Sequence, residues 1–75
     1  MHRFDVFGRL VGVERVDGKW RAVFVGQDGK HRHARGVTIP PWIEAAGLTT
    51  FLADLFHESA TPERPEVLYL GTDDV

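Results

Sequence analysis

The first forty residues place apolar and polar side chains with a period of two, and the pattern then changes to that of a helix. "RFDVFGRLVGVERV" (3–16) is dense in Val, Phe and Leu. Phe4, Val6 and Leu10 share one parity, and Phe7, Val11 and Val13 share the other. Gly8 and Gly12 interrupt the run, and glycine inside a strand marks a bulge or a bend. One long, bent strand is predicted, part of it covered on both faces. "DGK" at 17–19 signals a tight hairpin, because Asp-Gly supplies the positive φ angles such turns need. In "KWRAVFVGQ" (19–27), Trp20, Ala22 and Phe24 alternate with Arg21, Val23 and Val25, which predicts a second strand. A further Asp-Gly at 28–29 starts another hairpin. The third strand, "KHRHARGVTI", ends at Pro40-Pro41, which offers no amide donors to a ladder.

Beyond the prolines, Leu48, Phe51, Leu52, Leu55 and Phe56 fall at i, i+3, i+4, i+7 and i+8, the apolar stripe of a helix lying on a sheet. Thr49, Thr50, Ala53, Asp54, His57 and Glu58 form its wet face. Its start has two readings. "PPWIEAAGL" is either a short turn that Gly47 separates from the helix, or part of one long helix with an interior glycine that costs about 1 kcal/mol. Pro62 and Pro65 stop the helix and force extended chain. "VLYL" (67–70) predicts a short fourth strand and "GTDDV" (71–75) an acidic tail. The order β-β-β-α-β makes an α+β fold: an antiparallel three-strand meander, one helix packed on one face, and a short C-terminal strand. The helix is expected to bury its stripe against Trp20, Phe24 and their neighbours. No internal repeat or Gly/Ser linker divides the chain, so residues 1–75 are expected to form a single small domain.

At 75 residues the core is shallow, since a chain of this size hides only about 60–65% of the surface it exposes when unfolded. Every large apolar side chain therefore matters. There is no cysteine, which removes disulfides and thiolate metal sites. No apolar run is long enough for a signal peptide or a membrane span. Met1 reads as a native start, and the expected location is the cytoplasm. The net charge of −2 conceals a split: residues 1–40 carry eight Lys/Arg against four Asp/Glu, and residues 41–75 one Arg against seven Asp/Glu. Such a split either gives the molecule a basic and an acidic face, or lets its two halves attract each other within one fold. The second is the simpler expectation.

"FDVFGR" (4–9) and "IPP…LADLFHE" (39–41 and 52–58) resemble a family of short uncharacterised bacterial proteins. In that family an F-x-V-F-G-R strand is followed, after a Pro-Pro step, by a helix carrying L-A-D-L-F/Y-H-E. The resemblance implies a bacterial cytosolic source and a single domain. It brings no established activity and no catalytic residues.

Chemistry-bearing residues concentrate in "KHRHARG" (30–36). His31 and His33, two apart, lie on one face of a strand, a spacing at which two imidazoles can share a metal ion. A metal site needs a third ligand, and His2, His57 or a carboxylate would have to supply it from elsewhere. No metal and no cofactor are expected. Lys30, Arg32 and Arg35, with Arg21 and Lys19 from the neighbouring strand, are the cations for a nucleic-acid reading. The rings of Trp20 and Phe24, which single-strand binding would use, fall on the face the helix covers, and the net charge is acidic. Nor do the double-stranded RNA-binding domain or the OB-fold fit this order and length. Counted by twos, His31, His33 and Arg35 share parity with Val37 and Ile39. A bend at Gly36 is expected to reset that phase, because burying two imidazoles and a guanidinium in a shallow core is expensive.

On the helix, Asp54, His57 and Glu58 share the polar face. "HE" is not the start of H-E-x-x-H, because position 61 is Thr61. Asp54 and His57 could together orient a general base, but no nucleophile is placed for them: Ser59 is the only serine and there is no cysteine. His57 is expected to gain from the helix dipole and to pair with Asp54 one turn earlier. Trp42 with Ile43, two large apolar groups after Pro40-Pro41, is either a plug on the core's edge or an exposed anchor. The plug is the expectation, because so small a core needs the area. Taken together, the residues point to a non-enzymatic macromolecular interaction module. Its expected partner is another protein, or a second copy pairing through open sheet edges. The candidate binding residues are Arg21, Lys30, His31, Arg32, His33, Arg35 and Trp42. An accessory nucleic-acid-binding protein using 30–35 is the alternative, and a metal-dependent enzyme stands third. No membrane role is expected.

Overall fold

The chain reverses direction at Gly8. Phe7 and Gly8 both take positive φ, 53° and 94°, the two-residue type I′ connection whose twist matches that of antiparallel strands. The run read as one bent strand is therefore a hairpin. Strand β1 (His2–Val6) pairs antiparallel with β2 (Arg9–Val16), with Val6 opposite Arg9. In an unbroken strand Phe4 and Val6 would face away from Val11 and Val13. Folded back, Phe4 lies opposite Val11, and all four side chains are buried. The Gly8 amide donates to Asp5 Oδ1 at 2.7 Å. That bond offsets part of the roughly 1–2 kcal/mol that a residue such as Phe7 costs in the left-handed region.

The two Asp-Gly pairs form the turns predicted for them. Asp17 and Gly18, both at positive φ, lead into β3 (Lys19–Val25). A loop closed by the Gly26 amide on the Lys30 carbonyl, at 2.9 Å, leads into β4 (His31–His33). After the helix, β5 (Val67–Thr72) returns antiparallel beside β1, giving the order β4-β3-β2-β1-β5. The protein is thus α+β, an antiparallel sheet with one helix, as expected. It has five strands rather than four, because 3–16 is two of them. The last strand also runs further than 67–70 and takes in Gly71 and Thr72, with Leu70 as the extra residue of a bulge. The computed structural model describes residues 1–72; the rest of the predicted tail, 73–75, lies outside them.

Helix α1 (Leu48–Leu55) follows a separate 3-10 turn at Ala45–Gly47, which decides between the two readings of its start. It lies over β5 and β1. Leu48 and Leu52 are wholly buried, and Phe51 and Phe56 are half-buried against the same core. Leu55 departs from the stripe and is 43% exposed. The chain leaves helical geometry at Phe56 (φ −108°, ψ 18°). The Phe56 ring then turns in to meet Phe24, with centroids 6.5 Å apart, and Leu55 is left at the rim. Trp20 is not under the helix either. Its Nε1 donates to the Ile43 carbonyl at 2.8 Å, so the loop before the helix is its cover. Nor do the prolines of 61–66 impose plain extended chain. Thr61 and Arg64 exchange two backbone hydrogen bonds, of 3.2 and 3.0 Å, across a tight turn.

The opposite face of the sheet has no helix. Near its centre the Met1 thioether lies where a side chain on Gly12 would begin, with the Val23 side chain beside the same point. Val23 is buried on this side. Among the described residues no helix is long and apolar enough to cross a membrane.

Candidate interaction surface

The loop between β4 and the helix carries the largest apolar side chain left outside. Trp42 is 78% exposed, so it is an outward ring and not the plug expected from the shortage of core area. Ile43, the other half of that pair, is half-buried against the core and does plug it. The two close a tight turn begun by the prolines, which restrict φ: the Ile43 amide donates to the Pro40 carbonyl at 3.1 Å, and one side chain turns in while its neighbour turns out. The strap is pinned on both sides of Trp42. Arg15 Nη1 donates to the Pro41 carbonyl at 2.9 Å and Nη2 to the Ile43 carbonyl at 3.2 Å. Nη1 also reaches the Gly18 carbonyl at 3.2 Å. The guanidinium carbon lies 3.9 Å from the centroid of the Trp20 ring, directly across the strands. One planar cation therefore joins a hairpin turn, an aromatic ring and both flanks of an exposed indole.

Strand alternation divides the basic stretch. His31 and His33 stand opposite Val25 and Val23, on the face without a helix, which they share with Arg21. Both histidines are exposed, as expected. The chain bends where predicted: Gly36 has φ 82°, and the Val37 amide donates to the Ala34 carbonyl at 3.2 Å. Arg32 stands opposite Phe24 and so points to the helix side. Lys30 closes the preceding loop, its amide donating to Asp28 Oδ1 at 3.0 Å. Arg35 sits exposed in the turn after β4. Arg21 lies 4.0 Å from Glu14 on the adjacent strand. Lys19, Lys30, Arg32 and Arg35 make no ion pair among the described residues. The fold thus gathers Arg21, His31 and His33 on one face and sends Arg32 to the other, with Trp42 apart on its strap.

The residues considered as further metal ligands are dispersed. His2 lies on the helix side at the far end of the sheet order from β4, and His57 follows the helix. No three His, Cys, Asp or Glu come together among the described residues. His57 does not pair with the Asp54 carboxylate. Its Nδ1 donates to the Asp54 backbone carbonyl at 2.9 Å, satisfying one of the acceptors a helix end leaves open. Of the ion pairs, Arg64–Asp5 joins the two halves of the chain, with the cation from the acidic half, and Arg21–Glu14 lies within the first half.

Three features escaped the sequence reading. Arg15 is one. A second is the Arg9 guanidinium, 3.7 Å from the centroid of Phe24. A third is a polar knot joining β1 to β5, in which His2 Nδ1 lies 3.3 Å from the Tyr69 hydroxyl and 3.2 Å from Thr72 Oγ1. The two hydroxyls are 2.6 Å apart. Both arginines would have been found by placing the hairpin turn at 7–8, because Arg9, Val11, Val13 and Arg15 then share the inward parity with Trp20 and Phe24. The knot had no comparable signal, since the bulge at Leu70 sets its register.

No curated protein and no solved structure matches the chain. A family model described as a domain of unknown function (DUF7661) matches residues 1–71, and the protein belongs to that family.

Proposed function

We propose that this chain is a cytoplasmic, non-enzymatic interaction module that presents Trp42 as the anchor of a contact with another protein. The observation that carries the reading is the combination of exposure and fixation at one residue. The indole is 78% exposed, while the carbonyls on either side of it are held by one guanidinium. With the backbone on both sides held, docking has only the two side-chain torsions of the ring to order. Tryptophan is also the side chain that most often contributes about 2 kcal/mol or more at the centre of an interface. In a core as small as this one, an indole left outside is apolar area that folding does not use.

The test is capture from the native host with the wild type and with Trp42→Ala, followed by titration of whatever the wild type retains. The expected outcome is at least a roughly 30-fold loss of affinity in Trp42→Ala, with a melting temperature within a few degrees of wild type. Equal binding by both proteins sinks the reading. Light scattering on the chain alone separates the self-association version, which requires a wild-type dimer that Trp42→Ala dissolves. The nucleic-acid alternative is supported by the lack of ion pairs at Lys30, Arg32 and Arg35 among the described residues. It predicts retention on heparin that weakens steeply with salt and is lost in an Arg32→Glu, Arg35→Glu variant.

A further inference from the structure

On the helix side of the sheet, a depression of about 440 Å³ is lined by Arg9, Phe24, Val25, Gly26, Gln27, Asp28 and Arg32. We propose that it is a binding site for a small organic oxyanion, a carboxylate or phosphate group carried on a compact, partly apolar body. The proposal uses residues separate from Trp42 and does not depend on the reading given above.

The register puts two guanidinium groups around one ring. Phe24 on β3 has Arg32 directly opposite on β4 and Val11 opposite on β2, with Arg9 the next inward residue along β2. Arg9 lies over the Phe24 ring at 3.7 Å, and Phe56 meets the same ring edge-on from the end of the helix. Stacking fixes the plane of the Arg9 guanidinium through its π face. Its N–H donors, which lie in that plane, are left for a ligand. Neither Arg9 nor Arg32 has an acidic partner among the described residues. Two forks without carboxylates, flanking an apolar wall, match the bidentate recognition that carboxylate and phosphate oxygens support.

The remaining wall is a loop closed by three hydrogen bonds. The Gly26 amide donates to the Lys30 carbonyl, the Gly29 amide to the Gly26 carbonyl, and the Lys30 amide to Asp28 Oδ1. The Asp28 carboxylate is drawn into that loop, close over Gly26, with Oδ1 2.8 Å from where a side chain at position 26 would begin. Counting Arg9, Arg32 and Asp28, the lining side chains carry one net positive charge. An oxyanion complements that sign, and Phe24 supplies the surface for an apolar body.

The experiment is a titration of the full chain, followed by amide and arginine Nε–H NMR signals, with benzoate, phenyl phosphate and neutral benzamide at 150 mM salt. Saturable shifts confined to Arg9, the 24–29 segment and Arg32 are expected with both anions, at a Kd of roughly 1 mM or tighter, and not with benzamide. The tighter of the two anions identifies the headgroup. Arg32→Gln, which removes an exposed side chain with no internal partner, should weaken binding about tenfold while leaving the spectrum of the fold in place. Arg9→Lys, which keeps the charge but loses the planar fork, should do the same. Any of three results overturns the proposal: no saturation, equal shifts with benzamide, or shifts spread evenly over Lys19, Arg35 and the other exposed cations.

Discussion

At Arg15 a charged side chain stabilises structure without meeting an opposite charge. Its partners are three backbone carbonyls and the face of Trp20. A hydrogen bond from a charged donor contributes about 1.5–3 kcal/mol when well sheltered, and less at a wet site such as this. Arg15→Ala is therefore expected to lose about 1–2 kcal/mol, which for a domain of this size lowers the melting temperature by roughly 4–16 °C. Arg15→Lys should fall between, because an ammonium cannot bridge two carbonyls in one plane. Thermal unfolding followed by circular dichroism measures both, and an unchanged Arg15→Ala midpoint would show that the strap holds without its clasp. This residue was illegible in the sequence for a physical reason. Its acceptors are peptide carbonyls 26 and 28 residues away, and every residue carries a carbonyl. The exposure of His31 and His33 was legible, because a glycine positioned to bend the chain stood next to a costly burial. Of the two apolar groups after the prolines, the need for core area is met by Ile43 and not by Trp42, because one side chain suffices to close that edge.

Among the elements, the helix shows how far a stripe of apolar residues predicts burial. Leu52 is wholly buried and Leu55 is 43% exposed, three residues apart on the same predicted stripe. Leu52→Ala should cost about 2–5 kcal/mol, a large part of the roughly 4–11 kcal/mol available to a domain of this length. Leu55→Ala should cost under about 1 kcal/mol. Urea denaturation of the two variants decides this, and equal midpoints would mean that both leucines face the core alike. The strands follow a related rule. Both Asp-Gly turns were legible because their residues favour positive φ. The Phe7-Gly8 turn was not, because an aromatic residue at φ 53° is one that turn chemistry does not anticipate. The signal that existed was Asp5, three residues before Gly8 and able to accept its amide. Missing that one turn left the strand count short and set the parity of 9–15 against that of 4–6.

For the whole molecule, the two edges of the sheet are unlike. Edge strand β4 is short and wholly polar, the kind of edge that resists pairing. Edge strand β5 has six residues, and its Leu68, Tyr69 and Leu70 are each about half exposed. Two copies joined antiparallel along β5 would pair that edge and set these half-exposed side chains against each other. Any self-association through β5 is therefore expected to disappear in Leu68→Lys, as followed by sedimentation velocity. Association that survives the substitution would point to a different surface.

The side of the sheet that the helix leaves bare depends on a notch at Gly12 and the Met1 thioether lying in it. That is the chain's one sulfur atom. Oxidation to the sulfoxide would turn an apolar lid into a polar group seated against Val23, so peroxide has a single, chemically defined route to the interior that needs no prior unfolding.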